Sequence, residues 1–362
     1  MKAVNFFFFI LLTTSSVAQN TPLKSWVPAT AEIHGRWWNS GYKETYDRMP
    51  ASAEGEVRKE VWDLSRRGAG LHLLFRSNAP EIVVRYTVSN TLQMPHMPAT
   101  GVSGVDLYAK DKSGSWGWSA GKYNFGDTIS FTFSGFAAET IRDHVLYLPM
   151  YNHIKWLEVK YPASSSFEVV TEKDSKPVVV YGTSIANGAC ATRPGLGWTN
   201  ILSRLIDKSV INLAFSGNGR LEYEVYKYIG EIDASLFILD CLPNMSGDVY
   251  IKEGILRRRL DSSFQYLRSL HPNTPILFTE HAGYGDEDMN AKKKETYMAA
   301  NAVLLSFYES LKRAGVKNIG YLSKKEIGLT IESTVDGIHP NDIGMMENAK
   351  AYARKIKKVF KL

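Results

Sequence analysis

A regular alternation of apolar runs and helical segments in the second half of the chain limits the possible folds more than any other feature. The apolar runs have the length of strands and are too continuous to leave one face exposed, as in 177–182, 210–215, 234–242, 275–281 and 319–322. The helices are predicted between and after them, near 196–205, 221–229, 251–270, 287–314 and 341–359. This alternation predicts a parallel sheet covered by helices on both faces, with ligands bound at the carboxyl ends of the strands.

The first half has a different pattern. Short segments rich in β-branched and aromatic residues are separated by Gly, Pro, Asn or Ser, and they cover 69–77, 81–89, 104–110, 128–134, 144–151, 154–161 and 167–172. Many short strands without an intervening helix predict an all-β sandwich, such as a jelly roll. A polar linker, Lys173–Lys176, then marks the change of pattern. With 362 residues, we therefore predict domains at 22–172 and 177–362.

The N-terminus resembles a signal peptide more than a structural element. Lys2 precedes an apolar run from Ala3 to Leu12, and Ser16-Val17-Ala18 provides the small residues that a signal peptidase reads. The apolar run is too short for a transmembrane helix. We expect cleavage of residues 1–18, export to the periplasm or the medium, and no stable membrane insertion.

The charge pattern argues against a nucleic-acid partner. The formal net charge is only +6, and the densest basic clusters, 257–259 and 292–294, lie in predicted helices. Such clusters are usually solvated helix faces. The sequence does not predict the oligomeric state.

Four short segments, each at or beyond the end of a predicted strand, carry residues suited to acyl transfer. Ser184 lies in a tight turn after Gly182, where it is either a nucleophile or a helix N-cap. Asp336 stands three residues before His339, so its carboxylate can set the tautomer of the imidazole. Gly217 and Asn244 follow two further strands and can present a backbone N–H and an amide to an oxyanion, although a turn glycine and a loop asparagine are common. The combination, more than any one residue, favours catalysis.

On the basis of these residues, the C-terminal half of the chain, from about residue 177, resembles the SGNH (GDSL-type) hydrolases. The four named residues of that family match Ser184, Gly217, Asn244 and His339. Two departures stand out. The common Gly-Asp-Ser is Gly182-Thr183-Ser184 here, and the asparagine block reads Leu242-Pro243-Asn244-Met245 and lacks the frequent Gly-x-Asn-Asp. The resemblance implies a flavodoxin-like three-layer α/β/α hydrolase domain.

The N-terminal half has a resemblance of its own. Gly104-Val105-Asp106-Leu107-Tyr108 is similar to the Gly-x-Asp-Leu-Tyr motif of a sandwich domain that precedes such esterase domains in bacteria. The motif does not imply what that domain does. We expect Asp106 to be a structural carboxylate in a strand.

Further residues are candidates for contact with substrate. Arg193 follows the serine by nine residues and can meet a carboxylate or acyl oxygen, or be an ordinary salt-bridged arginine. Asn218 can orient substrate or shape its turn, and Glu280 and His281 can touch substrate or cap a strand. The Trp37-Trp38 pair and the loop Met94–His96 can stack on sugars, but core packing is the preferred interpretation.

The cysteines, Cys190 and Cys241, leave two alternatives. A disulfide bracing the site is one, because export gives an oxidising environment; two free buried thiols is the other, and is slightly preferred. Two cysteines without histidines at finger spacing predict no zinc site. Altogether the sequence predicts a cofactor-free secreted serine esterase that acts on small acyl esters, acetyl esters above all, on carbohydrate. A lipase or thioesterase and a non-catalytic glycan-binding protein are the alternatives.

Overall fold

The structure, a computed structural model, describes residues 22–171 and 176–361. The predicted signal peptide lies outside the described residues, as does most of the predicted linker. None of the helices within the described ranges has the length and hydropathy needed to span a bilayer.

The first half forms two antiparallel five-stranded sheets packed face to face. Its strands are β1 (Leu23–Trp26), β2 (His72–Ser77), β3 (Glu81–Val88), β4 (Asp106–Lys110), β5 (Trp116–Ser119), β6 (Gly121–Asn124), β7 (Ile129–Ser134), β8 (Arg142–Tyr147), β9 (Ile154–Pro162) and β10 (Phe167–Val169). The strand orders are β1-β9-β3-β7-β6 and β10-β2-β8-β4-β5. In β3 the side chains of Ile82, Val84 and Tyr86 are fully buried between the sheets, while the alternate residues face outward. The predicted all-β sandwich is confirmed.

The second half forms a five-stranded parallel sheet in the order β12-β11-β13-β14-β15. Its strands are β11 (Val178–Gly182), β12 (Val210–Ala214), β13 (Leu236–Asp240), β14 (Ile276–Thr279) and β15 (Ile319–Leu322). The first half also contains two short helices, α1 (Lys59–Ser65) and α2 (Ala99–Val102). The helices of the second half are α3 (Ser184–Asn187), α4 (Trp198–Ile206), α5 (Tyr223–Ile229), α6 (Asp248–Lys252), α7 (Ile255–Leu270), α8 (Ala291–Arg313), α9 (Lys324–Ile327) and α10 (Asp342–Phe360). The strand order is that of flavodoxin-like sheets, which confirms the predicted fold.

Both faces of this sheet are buried, as the continuous apolar strands predict. Along β11, Val179 and Tyr181 belong to a core shared with α5, α7 and α8, whereas Val178 and Val180 belong to a second core shared with α4 and α10. Every residue of β11 is buried. The sheet is therefore the middle layer of three, and residues on neighbouring strand positions lie in different cores.

The sequence before β2 does not belong to the sandwich alone. Met49, Val61 and Trp62 pack into the core of the parallel sheet on the Tyr181 side. Arg48 is almost fully buried and donates hydrogen bonds to the carbonyl oxygens of Asn212 (2.7 Å) and Ala214 (3.1 Å) on the edge strand β12. This segment therefore covers a sheet edge that would otherwise present unpaired backbone groups. Strand patterning did not predict α1, because its apolar residues pack against the neighbouring sheet.

Candidate active site

Ser184 lies in the sharp turn between β11 and the single-turn helix α3. Thr183 is the N-cap of that helix, and its hydroxyl accepts a hydrogen bond from the Ile185 N–H at 3.4 Å. Gly188, at a φ of 101°, ends the helix in the left-handed region that favours glycine. Ser184 is 7% exposed, so the fold holds this residue in a nearly buried place.

Asp336 and His339 lie in a tight loop before α10. Asp336 Oδ1 accepts hydrogen bonds from the N–H groups of Ile338 (3.0 Å) and His339 (2.8 Å), and Oδ2 lies 2.7 Å from His339 Nδ1. Burial alone would raise the pKa of Asp336, but the hydrogen bonds from the His339 N–H and imidazole and from the Ile338 N–H outweigh it and lower that pKa to about 2. The carboxylate is therefore ionised at neutral pH.

These two segments meet at the side chains of Ser184 and His339. Ser184 Oγ lies 2.9 Å from His339 Nε2, across 155 residues of sequence. An ionised carboxylate can accept a hydrogen bond but cannot donate one, so the proton between Asp336 and His339 belongs to His339 Nδ1. The lone pair of Nε2 is then free to accept a hydrogen bond from the Ser184 hydroxyl. A serine hydroxyl, an imidazole and a carboxylate thus form one continuous hydrogen-bonded chain, which is the arrangement of a Ser-His-Asp triad.

The oxyanion candidates, Gly217 and Asn244, follow the strands on either side of β11. A Cβ at Gly219 would come within 2.1 Å of the Gly182 carbonyl oxygen, so the loop after β12 lies directly against the end of β11 and needs glycine there. The Gly219 N–H donates to Asn244 Oδ1 at 3.1 Å. That bond orients the Asn244 amide and leaves its NH₂ group to donate elsewhere.

The sandwich half contacts the turn that carries Ser184 from the other side. The Tyr151 hydroxyl donates to the carbonyl oxygen of Ser184 at 3.2 Å, and Asn187 Nδ2 donates to that of Met150 at 3.2 Å. A Cβ at Gly101 in α2 would lie 2.3 Å from the carbonyl oxygen of Ala191. The turn that carries Ser184 is therefore packed between both halves of the chain.

Comparison with known proteins decides the family. Residues 175–357 match the GDSL-like lipase/acylhydrolase family, and residues 24–167 match the family of N-terminal regions of SGNH-hydrolase-type esterases. A Bacteroides ovatus protein classed as a GDSL-like lipase is 30% identical over 94% of this chain and 98% of its own, with a TM-score of 0.84. The chain belongs to the GDSL-like lipase/acylhydrolase family.

More distant structures share the fold. A salicylyl-acyltransferase of a tetracycline biosynthetic pathway has a TM-score of 0.74 at 20% identity, covering 94% of this chain and 98% of its own. A family two carbohydrate esterase from Cellvibrio japonicus has a TM-score of 0.57 at 11% identity with the same coverages. No curated protein matches the chain.

Within this GDSL-like hydrolase, Arg193 joins the two halves. Its guanidinium lies 2.5 Å from Asp106 Oδ2 and 2.6 Å from the Tyr108 hydroxyl, and it stacks over the Trp118 ring at 4.1 Å. Asp106 also accepts from the Trp118 indole (2.6 Å) and the Gly195 N–H (2.9 Å). Of the two interpretations of Arg193, the structure has the salt-bridged one, and the strand carboxylate of the Gly-x-Asp-Leu-Tyr motif is its partner.

The other substrate-contact candidates are engaged in internal hydrogen bonds or buried. Asn218 Nδ2 donates to the Ser216 carbonyl oxygen at 2.9 Å and so shapes its own turn. Glu280 accepts from the Tyr321 hydroxyl and from the Lys324 N–H. His281 is 1% exposed, and burial lowers its pKa to about 4. Among the described residues, none of these side chains forms a hydrogen bond to Ser184, His339 or Asp336.

The disulfide alternative for Cys190 and Cys241 is wrong, because both thiols are free and buried. Cys190 lies in the core on the Val180 side of the parallel sheet, and Cys241 lies in the core on the Tyr181 side. Proximity to the same sheet edge suggested a pair, but the sheet itself separates the two sulfurs. Trp37 and Trp38 are partly buried and pack against the Tyr181-side core, as the preferred interpretation predicts.

Sequence patterns did not predict what the loop Met94–His96 lies against. His96 is exposed, and its ring centroid lies 5.9 Å from that of His339. The loop thus brings a residue of the sandwich half close to the His339 ring. No spacing rule could have found this contact, because 243 residues separate the two side chains.

Proposed function

We propose that this protein is an exported serine esterase that removes small acyl groups, acetyl above all, from carbohydrate. The observation that carries the proposal is the chain of hydrogen bonds from Ser184 Oγ to His339 Nε2 (2.9 Å) and from His339 Nδ1 to Asp336 Oδ2 (2.7 Å). Membership of an ester-hydrolase family agrees with it.

The geometry leads to a two-step mechanism. Ser184 Oγ attacks the ester carbonyl carbon while its proton passes to His339 Nε2, and Asp336 stabilises the imidazolium that forms. The imidazolium then protonates the leaving alcohol as the C–O bond breaks and the acyl-enzyme remains. Water attacks that acyl-enzyme with His339 again as base, which releases the carboxylic acid and restores Ser184.

The negative charge of the tetrahedral intermediates needs donors in place beforehand. We assign this role to the N–H groups of Ser184 and Gly217 and to the Asn244 amide. Ser184 is the first residue of α3, where backbone N–H groups lack helical acceptors. Gly217 is exposed, and a Cβ added there would have no atom within 4 Å, so the space beside its backbone is open to substrate. Removal of one such donor typically lowers kcat about 10²- to 10³-fold.

The preference for carbohydrate acetyl esters is supported by three features. The N-terminal segment has the pattern of a signal peptide, a sandwich is packed against the nucleophile turn, and the fold is shared with the Cellvibrio japonicus carbohydrate esterase. The sequence offers no long apolar lid of the kind that would favour lipids, so a lipase or thioesterase is the second choice. A non-catalytic glycan-binding protein would have no need of the complete Ser184, His339 and Asp336 set.

The test is hydrolysis of 4-nitrophenyl acetate, butyrate and octanoate by the chain from Gln19 onward and by its Ser184→Ala variant. Ser203→Ala is the matched control, because the Ser203 hydroxyl donates to the Lys208 carbonyl oxygen just beyond the end of α4. We expect acetate turnover that is retained in the control and lost in Ser184→Ala, followed by release of acetate from acetylated polysaccharides. A preference for octanoate would establish the lipase alternative, and turnover that survives in Ser184→Ala would refute the mechanism.

A further inference from the structure

Three side chains with metal-binding atoms converge beside the nucleophile. The ligand atoms of His96, Cys190 and His339 all lie within 4.8 Å of one another. They come from three separate places in the fold: the Met94–His96 loop of the sandwich, the turn after α3 and the loop before α10. Zn²⁺ binds both imidazole nitrogen and thiolate sulfur, and three protein ligands with a fourth position left open are a common arrangement around it.

We propose that Zn²⁺ binds His96, Cys190 and His339 and reversibly inhibits the enzyme by occupying its catalytic histidine. The binding itself depends only on these three residues, whereas its inhibitory consequence rests on the proposed esterase function.

The surroundings of His339 are those of a zinc-ligating histidine. Its Nδ1 is committed to Asp336 at 2.7 Å, so Nε2 is the nitrogen that remains for a metal. A carboxylate behind a ligating imidazole fixes the ring and increases its basicity. The same Nε2 accepts the Ser184 proton during catalysis. An ion on Nε2 therefore blocks the step that activates the nucleophile.

Cys190 supplies the donor that selects zinc over harder cations. It is 2% exposed and has a φ of 69°, a left-handed conformation that disfavours residues with a Cβ. The fold thus holds a thiol at a strained position directly beside the catalytic histidine. When zinc binds, the Zn–S bond replaces the S–H bond, and the proton is released to solvent.

The cluster needs only a small adjustment to accept the ion. With Zn–N near 2.0–2.1 Å and Zn–S near 2.3 Å, two ligand atoms on one tetrahedral ion lie about 3.3–3.6 Å apart. The required contraction is therefore at most about 1.2–1.5 Å. His96 is exposed and lies at a loop tip, so it can move without disturbing the core. The fourth position is left for water or for the displaced Ser184 hydroxyl.

The first measurement is inhibition of 4-nitrophenyl acetate hydrolysis by ZnCl₂ in a buffer that does not chelate metals. Each variant is normalised to its own zinc-free rate. We expect inhibition of the wild type that EDTA reverses, and an inhibition constant at least about 100-fold weaker in Cys190→Ala and in His96→Phe, which keeps the ring but lacks nitrogen. Cys241→Ala is the matched control, since that thiol lies in the other core, and it should keep the wild-type inhibition constant.

The second measurement does not depend on activity. Co²⁺ bound to a thiolate gives a charge-transfer absorption, which we expect in the wild type and in the inactive Ser184→Ala variant but not in Cys190→Ala. His96→Phe, at an exposed loop, remains informative if Cys190→Ala fails to fold. Zinc inhibition that is equal in wild type, Cys190→Ala and His96→Phe would overturn the proposal, as would the absence of the cobalt band in the wild type. The cobalt band in an inactive wild-type protein would refute the esterase function and leave the metal site standing.

Discussion

The two halves of the proposed catalytic machinery are built in opposite ways. The nucleophile turn is buried and is fastened to the sandwich by Tyr151, by Asn187 and by the Arg193–Asp106 ion pair. The loop with Asp336 and His339 is partly exposed, and its shape comes mainly from its own hydrogen bonds, such as the Val335 N–H to the His339 carbonyl oxygen at 2.9 Å. A nucleophile that must sit in a sharp turn depends on the whole fold, whereas the orientation of the base is set within four residues.

The largest expected effect tests the loop that carries Asp336 and His339. We expect His339→Ala to lower kcat about 10⁵- to 10⁶-fold and Asp336→Asn about 10⁴-fold, as in other serine hydrolase triads. Because the loop is partly exposed and locally formed, the Tm should change little in either variant. Initial rates with 4-nitrophenyl acetate and thermal melts measure both quantities. A large fall in Tm with His339→Ala would show that this loop, too, depends on tertiary packing.

The next largest effect tests the turn that carries Ser184 and its contacts with the sandwich. Asp106→Ala leaves the half-buried Arg193 guanidinium without its carboxylate, and loss of one partner of a buried ion pair costs about 3 kcal/mol of stability. Activity should fall as well, because Asp106 also holds Arg193 and the Gly195 N–H, which follow the turn that carries Ser184. Chemical denaturation and kcat measure the two effects. Asp111→Asn, in an exposed turn of the same sheet, is the control and should stay within about 0.5 kcal/mol of the wild type.

A third prediction uses two aspartates with opposite pKa shifts. Asp240, which is paired in register with Gly182 at the end of β13, is buried, and this burial raises its pKa to about 7 against a weaker opposing effect of the Tyr352 hydrogen bond. In the unfolded chain the same carboxyl ionises near pH 4, so folding stability should fall between about pH 4 and pH 7 by up to roughly 1.4 kcal/mol per pH unit. Asp240→Asn should remove this decline.

Asp336 behaves in the opposite way. Its folded pKa of about 2 lies below the unfolded value, so its contribution to stability is present above about pH 4 and is lost as the pH falls toward 2. Denaturation of wild type, Asp240→Asn and Asp336→Asn across pH 3–8 tests both signs. An identical slope between pH 4 and pH 7 in wild type and Asp240→Asn would show that Asp240 does not titrate as its burial requires.

The smallest effect concerns the departure from Gly-Asp-Ser. Thr183 is fully buried and caps α3, so Thr183→Ala should cost about 1 kcal/mol, and Thr183→Ser, which keeps the oxygen, should cost less. Thermal melts of the two variants give the difference. Equal destabilisation by both would assign the role of Thr183 to its methyl group instead of its hydroxyl.

Features set by residues close together in the sequence could be predicted, and features set by distant contacts could not. The parallel sheet was predictable because β11, β12 and β13 are almost entirely apolar, and only a sheet covered on both faces buries such strands over their whole length. Asp336 and His339 were predictable as a pair, because three residues separate them. By contrast, β1, β5 and β6 were missed, since short edge strands with exposed residues carry little hydrophobic periodicity. The division at 172–177 and the oxyanion roles of Gly217 and Asn244 stay predictions.

Hydrophobic periodicity and residue chemistry are local properties, so the amino-acid sequence alone was enough to predict the two kinds of fold and to name the catalytic candidates. Which residues meet became known only from the three-dimensional arrangement. It paired Asp106 with Arg193, placed Cys190 and Cys241 in cores on opposite faces of one sheet, and brought His96 to His339. Contacts between residues so far apart in the chain depend on how the sheets and their loops pack against each other, and no spacing along the chain encodes that arrangement.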